Sequence, residues 1–349
     1  MRARSVALVL VLGVLGACRP EAMEPGSPEP RAAPSPVTRE PACLGDDPLA
    51  LQDCVSPERY EATLRRVVGP RPPGSTRWRE VQGLCDSTLS ELGFSVERHA
   101  YPTGTNVVGR REGTRWPEQS VMLGAHYDHI PGCPGADDNA SGVAGILEAA
   151  RVLSAVEHPR SLVVACWDEE ERGLVGSRAW AARARERGEQ ITVYLNLDAI
   201  AFADARPGTQ RIPTGFELLF PDEVLALEQR EHRADFITVV TDEASEPWAR
   251  HLRAAAARDG LPMALLSIPA LVQRTHVAID LQRSDHAALW DQGYPAIMIT
   301  DTAEYRSDAY HCMGRPDTIE GLDLGFATRV VRATTFAAAM ALQGPEPPA

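Results

Sequence analysis

From residue 56 onward, helical and strand-like spacing of apolar residues alternate along the chain. Tyr60, Leu64, Val67 and Val68 fall on one face of a helix predicted over 56–68, with Ser56 placed to cap it and Pro57 in its first turn. The run Gly69-Pro70-Arg71-Pro72-Pro73-Gly74 ends it, and a second helix follows over 78–92, closed by Gly93. Residues 94–101, 105–111 and 120–125 read as strands, and 141–153 as a helix of Ala, Val, Ile and Leu. The run 161–167 is continuously apolar, as in a strand covered on both faces, and 191–197 reads as another buried strand after a helix over 174–187. Beyond residue 199 the pattern weakens. Helices are predicted over 221–232, 247–258, 284–292 and 322–342, and strands over 236–240 and 295–300. This alternation predicts an α/β fold in which a mostly parallel, mixed β-sheet is sandwiched between helices. No internal repeat and no second-domain boundary interrupt it.

The N-terminus follows another logic. Arg2 and Arg4 precede an apolar run over 6–17, shorter than the roughly 20 residues needed to span a bilayer. The run ends in Leu15-Gly16-Ala17-Cys18, which resembles a bacterial lipobox and implies a signal peptide over 1–17 and a lipid on Cys18. An ordinary signal peptide with a chance cysteine is the alternative. Residues 18–48 are Pro-rich and form an expected tether to a membrane, leaving 49–345 as the folded domain. Arg19 stands where an Asp would resemble an inner-membrane retention signal, which favours the outer membrane.

The formal net charge of −13, without a basic patch, argues against nucleic acid as a partner. Every basic residue is Arg, so chemistry that needs a lysine amine is excluded. Export implies an oxidising compartment, in which Cys43 can pair with Cys54 and Cys133 with Cys312, while Cys85 and Cys166 read as buried thiols. No zinc-finger spacing and no Gly-x-Ser-x-Gly elbow occur.

Candidate chemistry gathers where strand-like runs end. His126, Asp128, Glu170, Glu171 and Asp198 each follow one, and ligands in such sheets collect at the carboxyl ends of strands. Five motifs occur in order: Ala125-His126-Tyr127-Asp128-His129, Gly135 to Gly142, Glu170 to Ser177, Asn196-Leu197-Asp198 and Tyr310-His311. Together they resemble the zinc-dependent exopeptidase family of the secreted bacterial di-zinc aminopeptidases, whose relatives include glutamate carboxypeptidase II and glutaminyl cyclase.

That resemblance implies two Zn²⁺, with Mn²⁺ or Co²⁺ as substitutes, and peptide substrates. It puts His126 and Asp198 on one metal, Glu171 and His311 on the other, and Asp138 across both. It makes Asp128 the residue that orients His126, Glu170 the general base for a metal-bridging hydroxide, and Tyr310 a donor to the oxyanion. Only the motif frame excludes Glu169 as the base. A carboxylate can span two ions and a ligating imidazole needs its second nitrogen fixed, so the residue types suit these roles. Asp137 is expected as a cap or a neighbour of the ligands, and Asp285 as a helix cap or part of the pocket. His129 is expected beside the ligands or on a loop, and His99 and His276 at the surface. A carboxypeptidase or cyclase stays open, with Arg172, Arg274, Arg283, Arg306 and Arg315 available to bind a carboxylate. So does a binding module without catalysis.

Overall fold

The computed structural model describes residues 45–273 and 276–344. The expected signal peptide, Cys18, Cys43, Arg274 and nearly all of the tether lie outside the described residues.

Strands β1 (Ser95–Ala100), β2 (Thr105–Arg111), β3 (Trp116–His126), β4 (Arg160–Trp167), β5 (Gln190–Leu197), β6 (Ile237–Asp242), β7 (Met263–Ile268) and β8 (Ala296–Thr300) form one sheet. Their order is β1-β2-β4-β3-β5-β8-β6-β7. β4, β3, β5 and β8 are mutually parallel. β1 and β2 are antiparallel to each other, and β2 is antiparallel to β4. β6 runs antiparallel to β8 and parallel to β7. The α/β class and the mostly parallel, mixed sheet read from the sequence are therefore the observed architecture.

The helices are α1 (Pro48–Asp53), α2 (Pro57–Val67), α3 (Thr76–Glu91), α4 (Gly142–Leu153), α5 (Val175–Glu186), α6 (Phe216–Leu219), α7 (Pro221–Gln229), α8 (Glu246–Arg258), α9 (Ala270–Gln273), α10 (His286–Asp291) and α11 (Leu324–Gln343). Residues of α1 to α4, α8 and α11 join one apolar cluster against the sheet. Residues of α5 and α10 join a second cluster on the other face. β4 is buried along its whole length, which is why its sequence shows no alternation. β7, which the periodicity does not predict, is an edge strand with only Leu266 and Ile268 buried. Ser56 accepts the Arg59 N–H at 3.3 Å and caps α2 as expected.

One expectation, His99 at the surface, is corrected, and for Asp137 and Asp285 the capping alternative is set aside. His99 is buried, because its position on β1 points it at Asn106, whose Nδ2 lies 3.0 Å from its Nδ1. Asp137 makes no helix-capping bond; its carboxylate accepts the Ala201 N–H at 2.9 Å. Asp285 stands at the N-terminus of α10 without capping it and is fully buried. Cys85 and Cys166 are buried free thiols, and Cys133 bonds to Cys312.

His286, the first residue of α10, donates from Nε2 to the Leu281 carbonyl at 2.9 Å and packs edge-on against Trp290. Burial lowers its pKa from 6.5 to about 4. A histidine whose folded pKa is depressed takes up its proton more readily when unfolded, so stability falls as pH drops below about 6.5 and the loss levels off below about 4. We expect a decline of up to about 3 kcal/mol across that window. Urea unfolding of wild type and His286→Asn at pH 7 and pH 4.5 checks it; the variant should lack this component.

Candidate metal centre

Four central strands deliver their following loops to one edge of the sheet. β3 ends on His126, β4 leads to Glu170 and Glu171, β5 leads to Asp198, and the segment after β8 carries Tyr310 and His311. The remaining carboxylate, Asp138, lies in a single turn over Ala136–Ser141 that opens onto α4.

Asp138 faces both imidazoles. Its Oδ1 is 3.1 Å from His126 Nε2 and its Oδ2 is 3.2 Å from His311 Nε2. Asp198 Oδ1 lies 3.5 Å from His126 Nε2, and Glu171 Oε2 lies 3.0 Å from His311 Nε2. All five residues named from the sequence as ligands are thus brought together. His126, Asp138 and Asp198 offer donor atoms within 4.8 Å of one another, as do His129, Asp138 and Glu171. The second set holds His129 where the resemblance implies His311. The two imidazoles take opposite oxygens of Glu171, His129 Nδ1 sitting 2.7 Å from Oε1 without hydrogen-bond alignment.

Asp128 adjoins two of these groups. Its carbonyl is the nearest acceptor for His126 Nδ1, at 3.2 Å, while its carboxylate stands 3.6 Å away. That carboxylate accepts the Glu170 N–H at 3.0 Å, tying the two strand ends together. Glu169 is buried and turned aside to Thr103 and Arg172.

Two supports were not legible in the sequence. Arg71 is fully buried, and its guanidinium donates to the carbonyls of Tyr127 at 2.9 Å, Pro134 at 2.9 Å and Asp138 at 3.2 Å. Asp317 accepts the N–H of Asp137 at 3.0 Å and of Asp138 at 3.1 Å. The Cys133–Cys312 bond joins this loop to the His311 turn. His311 and Cys312 both adopt left-handed backbone, at φ 50° and 54°. A non-glycine residue there costs about 1–2 kcal/mol, so the turn needs outside restraint.

The electrostatics suit cations. Burial opposes protonation of His311, yet Asp138 and Glu171 outweigh it and raise its pKa to about 10. Burial likewise opposes a charge on His126, and Asp198 and Glu170 override it, so its pKa rises too. Burial pushes the Glu170 pKa up; His126 counteracts, while Asp198, Asp285 and Glu171 add to the rise. A pocket that holds protons this firmly has surplus negative charge to offer a metal. Asp128 Oδ2, both nitrogens of His129, Glu171 Oε1 and His311 Nε2 are buried without hydrogen-bond partners. Such groups are normally satisfied, and the mixed imidazole and carboxylate set fits a zinc-type ion.

Asp198 and Tyr310 border a cavity of about 290 Å³. Its inner walls include Phe216, Phe220, Val224, Leu227 and Met298, and its polar border includes Arg283 and Glu304. Tyr310 stacks on His311 with ring centres 4.0 Å apart, and Arg283 donates to its hydroxyl at 3.4 Å.

A family model described as Peptidase family M28 matches residues 106–337, and the chain belongs to that family. YfbL of Escherichia coli (strain K12) is 33% identical over 223 residues, covering 60% of this chain and 64% of that protein. A probable lipoprotein aminopeptidase, LpqL of Mycobacterium tuberculosis, is 43% identical over 129 residues, covering 33% of this chain and 26% of that protein. The chain therefore spans less than two thirds of the length of these relatives. The solved structure of BSAP, a zinc aminopeptidase from Bacillus subtilis, shares the fold with a TM-score of 0.62 at 15% identity, covering 83% of this chain and 96% of that one.

Proposed function

We propose that this protein is a zinc-dependent aminopeptidase of the cell envelope, its catalytic domain over 49–345 held at the outer membrane by a lipid on Cys18. The observation that carries the catalytic reading is Asp138, with one carboxylate oxygen turned to His126 and the other to His311. His126, Asp138 and Asp198 would hold one Zn²⁺, and Asp138, Glu171 and His311 the second. His129 is assigned to steadying Glu171 through its other oxygen.

When bound, the pair of ions would lower the pKa of a water and polarise the scissile carbonyl. The residues do the rest. Glu170, with its raised proton affinity, accepts the proton of the attacking water and returns it to the departing amine. Asp128 fixes the backbone of Glu170 and, through its carbonyl, the ring of His126. Tyr310 donates from its hydroxyl to the oxyanion; burial pushes its pKa up, so it keeps its proton. The aminopeptidase names of LpqL and BSAP support the reaction. Hydrolysis of aminoacyl-nitroanilides by the zinc-loaded protein tests it. Metal-loaded protein inert on a broad peptide library would favour a binding module instead.

The cavity beside Asp198 is expected to receive the side chain of the N-terminal residue. Its apolar walls should prefer leucyl- over aspartyl-nitroanilide by about 100-fold in kcat/KM, since an unpaired charge buried there costs about 3 kcal/mol. Equal rates would remove the cavity from the reading.

A carboxypeptidase would need a free guanidinium at the centre. Arg172 is engaged by Glu169, Arg315 by Asp308, Arg283 by Glu304, and Arg306 by the Phe236 carbonyl and its neighbours. A cyclase would bind a single zinc, so metal analysis separates it. Substituting Cys18 by Ala should release the protein from the membrane fraction, which tests the anchor.

A further inference from the structure

Beneath the candidate centre, four hydrogen bonds run in series from the end of β4 to Asp198. Trp167 Nε1 donates to Tyr194 Oη at 2.7 Å, and Tyr194 Oη donates to Asn196 Oδ1 at 2.7 Å. Asn196 Nδ2 donates to Ser284 Oγ at 2.7 Å, and Ser284 Oγ donates to Asp198 Oδ2 at 2.5 Å. Trp167, Tyr194, Asn196 and Ser284 are all fully buried.

The chemistry of each group allows only one direction. An indole N–H can only donate, so the Tyr194 oxygen accepts from it and its proton goes to Asn196. The Asn196 carbonyl oxygen is thereby fixed toward Tyr194, and its amide nitrogen toward Ser284. With the Ser284 oxygen accepting from Asn196, its hydrogen points at Asp198. Burial raises the Tyr194 pKa, so the phenol stays protonated and able to donate. The series ends on Asp198 Oδ2, while Asp198 Oδ1 faces His126.

A separate observation shows that space is kept for this series. β3 lies between β4 and β5, and the side chains of Trp167 and Tyr194 meet over Gly124 of β3. A Cβ at Gly124 would sit 2.5 Å from Tyr194 Oη and 2.8 Å from Trp167 Nε1. Any larger residue would push the two groups apart.

We propose that Trp167 and Tyr194 are positioning residues for Asp198, acting through Asn196 and Ser284, and that they set how tightly the first of two cations is held. The inference rests on Asp198 being a ligand. The series holds one of its oxygens and leaves the other for the ion. Hydrogen-bond partners behind a ligand typically change metal affinity 10–100-fold. Tyr194→Phe keeps the ring but strands the Trp167 N–H and frees the Asn196 amide to turn, which withdraws the Ser284 hydrogen from Asp198.

The test is Co²⁺ titration of metal-free protein, followed by visible absorption and by chelator competition, for wild type, Tyr194→Phe and Gly124→Ala. Tyr194→Phe should weaken one of two binding steps about tenfold and leave the other unchanged. Gly124→Ala should do the same if it folds. Wild type that takes up two ions, with both steps unchanged in Tyr194→Phe, overturns the inference alone. So does an equal weakening of both steps, which marks a general loosening of the core. Wild type that binds no cation overturns the reading of the site, and this inference with it.

Discussion

Replacing Glu170 with Gln should lower kcat by about 10²–10⁴-fold while leaving the metal content of the protein unchanged. The substitution keeps the size of the side chain and removes only its ability to take a proton. Burial, together with Asp198, Asp285 and Glu171, raises the proton affinity of this carboxylate. That is the property needed by a base acting near neutral pH. Its backbone is tied to Asp128, so the loop should hold its shape in the variant. Steady-state kinetics on leucyl-nitroanilide, with elemental analysis of the same preparation, reads out both halves of the expectation. Full activity in the variant would remove Glu170 from the reaction; lost metal would make it a ligand.

The second large effect is expected at the Cys133–Cys312 bond. It joins residues 179 positions apart, and closing a loop of that length restricts the unfolded chain by about 5 kcal/mol in the chain-entropy account. Native disulfides usually deliver about 2–5 kcal/mol when removed. Here the bond also restrains a turn in which His311 and Cys312 are both left-handed. The Cys133→Ser/Cys312→Ser double variant should lose about 2–5 kcal/mol in urea unfolding and hold its second cation more weakly. Unchanged stability and unchanged binding of both cations would reduce the bond to an incidental link.

Among the parts of the fold legible in the sequence were those buried on both sides. β4 shows an apolar run from Leu162 to Trp167, and β5 one from Ile191 broken by Thr192 and Asn196, because helices cover both faces of the sheet. The segment between β5 and β8 did not read clearly, and the structure gives the reason. α6 and α7 have no fully buried residue; Phe216, Val224 and Leu227, with Phe220 between the two helices, line a cavity, Phe216 and Phe220 also touching the second apolar cluster, while Leu218 and Leu225 are exposed. Helical periodicity reports what a core demands, and a cavity demands less. The five candidate ligands were legible because each stands in a short motif at a strand end or a turn. Arg71 and Asp317 were not, since they work through main-chain groups of distant residues. Arg71 reaches the Asp138 carbonyl across 67 positions, and Asp317 reaches the Asp137 N–H across 180. Nothing local in the sequence marks such a partnership.

The stretch from 205 to 230 supplies cavity wall but none of the five candidate ligands. On the proposed reading, part of the side-chain preference is therefore carried by a length of polypeptide that holds no candidate ligand, the rest of the wall coming from residues such as Arg283, Met298 and Tyr310. If the proposed hydrolysis holds, a lineage could trade this stretch for another and shift its diet with the candidate ligands untouched, and a chimera exchanging only that stretch would move toward the donor's preference at the host's turnover.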